Sequence, residues 1–326
     1  MKTVVVVAAG AADRPLEDLG GRTPLEAAQT PALDLVAREG RLGRLGTAPA
    51  SMRPEEGSFA LSLFGLDPLS YGEVGGVLEA AAFGATVGSL DQVFRLALVT
   101  ADANTIFDPT AGFITRDEAT LLLAALDASF SDPDLAFLPG DGWRNVLVWK
   151  GARDVRVRTV PPFDCVGKSL RAAMPKGTGI GRLLAAIGRS SDVLPRHEVN
   201  ECRRDLGENP ATLVWPWGSG VSLPLPGFEA RTGVGAAGVA VHPGVRGAGV
   251  LPRMESVDVE GATGLVGSNL RAKAAAALDA LETHDFVLVH VDALAAASYA
   301  RDFVAKVGAL EGIDGYLLAP LLEAAS

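Results

Sequence analysis

The run from Thr3 to Ala8, with four consecutive valines, is followed at once by Gly10 and by the polar pair Asp13-Arg14. It is too short to span a membrane. Its β-branched makeup and the glycine turn behind it read as a buried first strand rather than the h-region of a signal peptide. Strands of this kind belong to parallel sheets, so the run points to an α/β chain. The continuation agrees: a loop passes through Gly20-Gly21-Arg22-Thr23-Pro24, and a helix is predicted after Thr30. Thr30 supplies a cap, Pro31 suits the first turn, and Gly40 follows Leu33, Leu35 and Val36 as a stop. Near the other end, Asn269 is placed to cap a helix from Leu270 to Leu281. The run Asp285 to Val291 is β-like, and a further helix is predicted from Ala295 to Leu310. This alternation predicts a mostly parallel sheet with helices on both faces.

Between Leu69 and Leu194 the texture changes to short apolar segments such as Val93 to Val99, Ala136 to Leu138 and Val146 to Trp149. Thr115 and Glu118 form a capping box before Ala119, Leu122, Leu123 and Leu126, which share a helical face. The expected organisation is an α/β core of residues 1–68 and 195–326 with an inserted α+β cap of residues 69–194. The Gly-rich stretch Arg231 to Val250 lacks a Walker ending and a clean dinucleotide fingerprint, so it reads as turns and tight packing. A net charge of −10 argues against a nucleic-acid partner. Two cysteines, Cys165 and Cys202, are too few for a disulfide scaffold or a thiolate zinc site and fit a cytoplasmic protein without a membrane partner.

Several separated segments, in one order, resemble the archaeal-type cofactor-independent phosphoglycerate mutases of the alkaline phosphatase superfamily. They are Asp13-Arg14-Pro15; Leu19 to Pro31; Leu61-Ser62-Leu63-Phe64-Gly65-Leu66-Asp67-Pro68; Phe94-Arg95, Thr100 and Asp108; His197-Glu198-Val199-Asn200 with Arg203; Asn209-Pro210-Ala211; and Trp215-Pro216-Trp217-Gly218. Gly261-Ala262-Thr263-Gly264, Asn269, Lys273-Ala274 and Asp285 to Ala293 complete the match, which spans nearly the whole chain. The resemblance implies an alkaline-phosphatase-like α/β core interrupted by a cap domain. It also implies two divalent metals and a phosphorylated serine that moves phosphate between the hydroxyls of phosphoglycerate.

At the positions that would carry this chemistry the sequence departs from the pattern. The implied Gly-Asp-Gly after the first strand is Ala8-Ala9-Gly10, and the implied Pro-Gly-Ser-Asp with the nucleophile is Pro54-Glu55-Glu56-Gly57. Ser58 stands two positions on, which on a helix turns a side chain by about 200° and argues against a displaced nucleophile. The implied Asp-Glu-Ala-Gly-His run is Ala295-Ala296-Ala297-Ser298-Tyr299, and an implied aspartate is Ala240. In the cap, Pro162-Phe163-Asp164 replaces a Pro-His-Asp-like segment, and Gly75 replaces an arginine. Family members are usually longer, and an implied later Asp-His-Ser/Thr-Pro pair has no counterpart before Ser326. Alanine, glycine and phenylalanine side chains offer no oxygen or imidazole to a hard dication, so the expectation is no metal and no cofactor.

Among the residues that remain, Glu56 and Asp13 are the proton-transfer candidates, with His197 as partner. Glu55 and Glu56 also read as a simple charged loop. His197, Asn200 and Arg203 share a helical face suited to gripping an anion, or form a capped, solvated helix. Arg14, Arg95 and Lys273 are further anion-binding candidates, each able to serve in an ion pair instead. His242 could face the old cleft and nucleate a replacement metal site, His290 reads as a core residue and His284 as a surface one. The resulting expectation is a repurposed, metal-independent protein that acts on or binds a small phosphorylated or carboxylated metabolite. Whether it is an enzyme is left open; if it is, isomerase or lyase-type acid–base chemistry is expected. The alternatives are a non-catalytic pseudoenzyme partner of another protein, with a possible homo-oligomer, and a genuine metal-dependent mutase with rearranged ligands.

Overall fold

Thr3–Ala8 forms a strand that pairs in parallel with Phe286–Val291, Val5 opposite Leu288 and Ala8 opposite Val291. The computed structural model describes residues 1–46, 51–52, 55–130 and 132–325, apart from the side chain of Glu56. Phe286–Val291 pairs in turn with Ala236–Val239, which pairs with Glu255–Ser256, giving a four-stranded, wholly parallel sheet. Side chains alternate across it. Val287, Val289 and Val291 pack on one face against Leu270, Ala274 and Ala277 of the helix Leu270–Thr283, and against Leu310, Ile313 and Leu317. Leu288, on the other face, lies among Phe64, Val245 and Gly249, the last two from the helix Pro243–Val250. Helices therefore cover both faces. These residues belong to a split unit, Met1–Leu66 with Leu225–Ser326.

Two local predictions need correction here. Thr30 precedes the helix Pro31–Glu39, but its side chain makes no cap. The buried carboxylate of Asp314 does so instead, accepting from Ala32 N at 3.1 Å and Leu33 N at 2.7 Å. The single helix predicted from Ala295 to Leu310 is two, Ala293–Tyr299 and Phe303–Gly312. Arg301 takes a left-handed φ of 57° between them, and Asp302 caps the second by accepting from Ala305 N.

The inserted unit, Asp67–Pro224, is built on antiparallel pairing. Its central strand Gln92–Ala101 pairs with Arg144–Trp149, with Leu213–Val221 and, at its end, with Ile106–Asp108; Leu135–Asp141 flanks Arg144–Trp149. The helix Arg116–Ser129 carries both halves of the Thr115/Glu118 capping box and buries Ala119, Leu122, Leu123 and Leu126. The expected boundary at 194/195 lies instead between Pro224 and Leu225. The cause is the strand Leu213–Val221, whose Leu213 and Trp215 pack with Ala97 and Val99 of the central strand. Among the described residues no helix is long and apolar enough to cross a membrane.

Candidate functional site

The carboxyl ends of parallel strands are where α/β folds place ligands, and in the split unit these ends bring together most of the polar groups. Beyond Thr3–Ala8, the amide of Ala9 donates to Val291 O at 2.9 Å and Gly10 turns with φ 85°. Asp13 follows. Its Oδ1 accepts from Arg14 N at 2.9 Å, and its Oδ2 accepts from Lys306 Nζ at 2.6 Å. The Lys306 hydrogen bond holds the Asp13 carboxyl below its ordinary 3.8. Asp13 is thus a carboxylate paired with Lys306, and the proton-transfer role expected of it would work from that pair. Arg14 is exposed.

At the end of Phe286–Val291, His290 is buried and its Nδ1 lies 3.2 Å from Asp292 Oδ2. A carboxylate only accepts, so in this pair Nδ1 carries the proton. Lys273, wholly buried, donates from Nζ to His290 O at 2.8 Å. Burial pushes its pKa below 10.5, with Asp292 opposing the shift. Lys273 is therefore tied to the strand end by an interior hydrogen bond. His242 caps the helix Pro243–Val250, its Nδ1 accepting from Gly244 N at 3.2 Å, so that the proton of the neutral ring sits on Nε2. The His242 and His290 ring centres are 6.2 Å apart. A Cβ built on Gly244 would stand 3.4 Å from Gly57 N, so the first turns of Pro243–Val250 and Glu56–Leu63 meet beside His242. Such turns favour negative charge. Ser58 is buried in the second of them, and the side chain of Glu56 lies outside the described residues. His284 closes the helix Leu270–Thr283, 3.3 Å from Glu255.

In the inserted unit the expected anion grip is spent internally. Asn200 donates from Nδ2 to Leu194 O and Ala211 O, each at 2.7 Å, and accepts from Ala211 N at 2.8 Å. Arg203 donates to Asn209 O, Ala111 O and Gly112 O and forms ion pairs with Glu118 and Glu208, both at 3.0 Å. The donors of both residues thus end on oxygens of the protein itself. Arg95 is buried, paired with Glu79 at 2.9 Å and stacked on Trp217 at 4.6 Å. A Cβ on Gly75 would fall 2.6 Å from Arg95 Cζ, so the guanidinium fills the space a side chain at position 75 would take. His197 is half-buried and caps the helix Glu198–Asp205 by accepting from Val199 N at 3.2 Å. Asp108 accepts from Thr110, Gly112 and Asn209. Burial raises its pKa, but these hydrogen bonds outweigh it and leave the group below 3.8. Cys165 is buried, its thiol pushed up to about 11, and Cys202 is exposed.

Comparison with known proteins matches the sequence model of the family described as 2,3-bisphosphoglycerate-independent phosphoglycerate mutase over residues 37–200. A relative from Geobacter sulfurreducens, a probable 2,3-bisphosphoglycerate-independent phosphoglycerate mutase, is 36% identical over 99% of this chain and 82% of its own. The chain belongs to this phosphoglycerate mutase family. A second relative of the same description, from Methanothermobacter thermautotrophicus, is 38% identical over 100% of this chain and 81% of its own. Among solved structures, a Pyrococcus horikoshii protein superposes with a TM-score of 0.75 at 26% identity, over 98% of this chain and 78% of its own. The cofactor-independent phosphoglycerate mutase of Thermoplasma acidophilum gives 0.58 at 27% identity, over 99% and 84%.

The two metals that the mutase resemblance implies do not fit the residues present here. A Cβ on Gly10 would stand 2.6 Å from Ala295 N and 2.7 Å from Ala295 Cα, so the turn after the first strand lies directly on the segment that should supply ligands. Ala9, Ala240, Ala295 and Ala296 have no donor atoms to offer. Among the described residues no three His, Cys, Asp or Glu side chains are grouped to hold an ion, His242 included. Sequence reasoning missed Lys306. Its signal was a lysine one turn from Leu310, on the apolar side of the helix Phe303–Gly312.

Proposed function

We propose that this phosphoglycerate-mutase-like chain has lost the two-metal phosphoserine mechanism and binds a small phosphorylated or carboxylated molecule at the carboxyl edge of its parallel sheet. The observation that carries the reading is that Ala9, Ala240, Ala295 and Ala296, at implied ligand positions, have no oxygen or nitrogen side-chain donor. The surrounding charge supports an anion. Asp13 is neutralised by Lys306, and Arg14 and the first turn of Pro243–Val250 supply positive potential, while the other first turn carries Glu55 and Glu56. Any chemistry at this edge is proton transfer of the isomerase or lyase type, with the histidines and Asp13 as candidates.

The test is elemental analysis of the purified protein, followed by calorimetric titration with 3-phosphoglycerate and inorganic phosphate in EDTA, and by a mutase assay with added Mn²⁺ or Mg²⁺. The expected outcome is no stoichiometric metal, no mutase turnover, and anion binding that EDTA leaves intact. Two bound dications with turnover would establish the mutase with rearranged ligands, a reading the names of the 36% and 38% identical relatives favour. Absence of both turnover and anion binding would favour the non-catalytic partner role. That role has its own support in Asn200 and Arg203, whose donors end on the protein's own oxygens.

A further inference from the structure

We propose that the outer edge of the strand Thr3–Ala8 is a dimer interface, where a second copy of this chain adds its own Thr3–Ala8 in antiparallel and the two parallel sheets become one. Among the described residues the only strand that pairs with Thr3–Ala8 is Phe286–Val291. Thr3 N donates to Asp285 O and Ala9 N to Val291 O. Backbone groups alternate in direction along a strand, so Thr3, Val5, Val7 and Ala9 turn inward, and Val4, Val6 and Ala8 turn their N–H and C=O groups outward. Among the described residues none of these three amides has an acceptor, and of the three carbonyls only that of Ala8 has a donor, Ala11 N at 3.2 Å.

The other edges of the two larger sheets are protected against such pairing. Glu255–Ser256, across the same sheet, is two residues long and begins on a charge. In the inserted unit, Ile106–Asp108 is three residues long and ends on a carboxylate. Leu135–Asp141 carries Pro139, Asp141 and a register shift between Leu138 and Asp141. Leu213–Val221 carries Pro216 and a register shift in its pairing, and its Val214 N and Gly218 N donate to Ser190 Oγ and Thr159 Oγ1. Thr3–Ala8 has no proline, no charge and no bulge, and its four valines are all half-buried. Its composition selects the occupant. A foreign extended peptide is chosen through side-chain pockets and charges beside the ladder, and this strand carries no charge. It does match itself: with a two-fold axis through Val6, each Val6 faces its own counterpart and each Val4 faces an Ala8, so every outward amide meets an outward carbonyl. The axis keeps Val4, Val6 and Ala8 on one face, where they already pack at the margin of the cluster around Ala274 and Val289, so the two clusters join across the seam. A chain of charge −10 repels its own copy, and an uncharged edge is where approach costs least.

Sedimentation velocity of the full chain tests this. At about 50 µM the protein is expected to run at twice its 33.6 kDa. A monomer at that concentration would overturn the proposal and leave the edge to a foreign strand. Val6→Pro removes one outward N–H and spares the bonds to Phe286–Val291, a position where an edge strand accepts proline. V6P is expected to weaken the dimer at least about tenfold with an unchanged circular dichroism spectrum. A folded V6P that dimerises as tightly as the unsubstituted protein would place the interface elsewhere and overturn the proposal. Should V6P not fold, hydrogen exchange of the unsubstituted protein decides. The amides of Val4, Val6 and Ala8 are expected to exchange at least about tenfold faster after dilution below the dimer dissociation constant, while those of Val5 and Val7 keep their protection. Equal exchange of Val4, Val6 and Ala8 at both concentrations would overturn the proposal.

Discussion

The guanidinium of Arg203 ends on oxygens of Ala111, Gly112, Asn209, Glu118 and Glu208, so replacing it tests architecture rather than ligand affinity. Arg203→Ala is expected to cost about 3 kcal/mol in urea unfolding, the low end for a broken buried pair because both carboxylates keep some water. Arg203→Lys should recover only part of it, since an ammonium cannot form the same fork. Asp13 gives a pH test. Its folded pKa lies below 3.8, so the stability from its Lys306 partner is present above that value and lost as pH falls through the lowered one. Thermal melts between about pH 5 and pH 2 should therefore show a steeper acid loss in the unsubstituted protein than in Asp13→Asn. Glu118 adds to this loss. Burial raises its pKa, but hydrogen bonds from Thr115 and Arg203 leave it below 4.5.

The helix Pro31–Glu39 is capped from a distant part of the chain, by Asp314, with Thr30 contributing no side-chain bond. Asp314→Ala is expected to cost about 2 kcal/mol and Thr30→Ala a few tenths, by chemical denaturation. This pair also shows what was legible in the sequence. Local signals succeeded where local physics decides the outcome: the strand Thr3–Ala8, the Thr115/Glu118 box, and Asn269, whose side chain accepts from Ala272 N. Thr30 is as good a capping residue as Thr115, but a buried carboxylate contributed from far along the chain takes its place. The same limit applies at the site. Asn200 and Arg203 share a helical face as predicted, yet helical spacing says nothing of the carbonyls of Ala111, Asn209 and Ala211 that consume their donors. Lys306 was missed for the converse reason, because two of its acceptors, Ala12 O and Asp13, come from the far end of the chain.

For the whole molecule, the split arrangement has a folding corollary. Asp67–Pro224 is continuous and holds its own cluster from Phe94 through Val214, whereas the parallel sheet needs Thr3–Ala8 beside Phe286–Val291. The fragment 67–224 expressed alone is expected to melt cooperatively by circular dichroism; a gradual, non-cooperative trace would show that it depends on the split unit. At the carboxyl edge of the sheet, Gly10→Ala is expected to destabilise the full chain by about 3 kcal/mol or more, because the new methyl meets backbone at a left-handed φ. The contact leaves position 10 a single admissible residue: a library randomised there and selected for folded protein should return glycine alone.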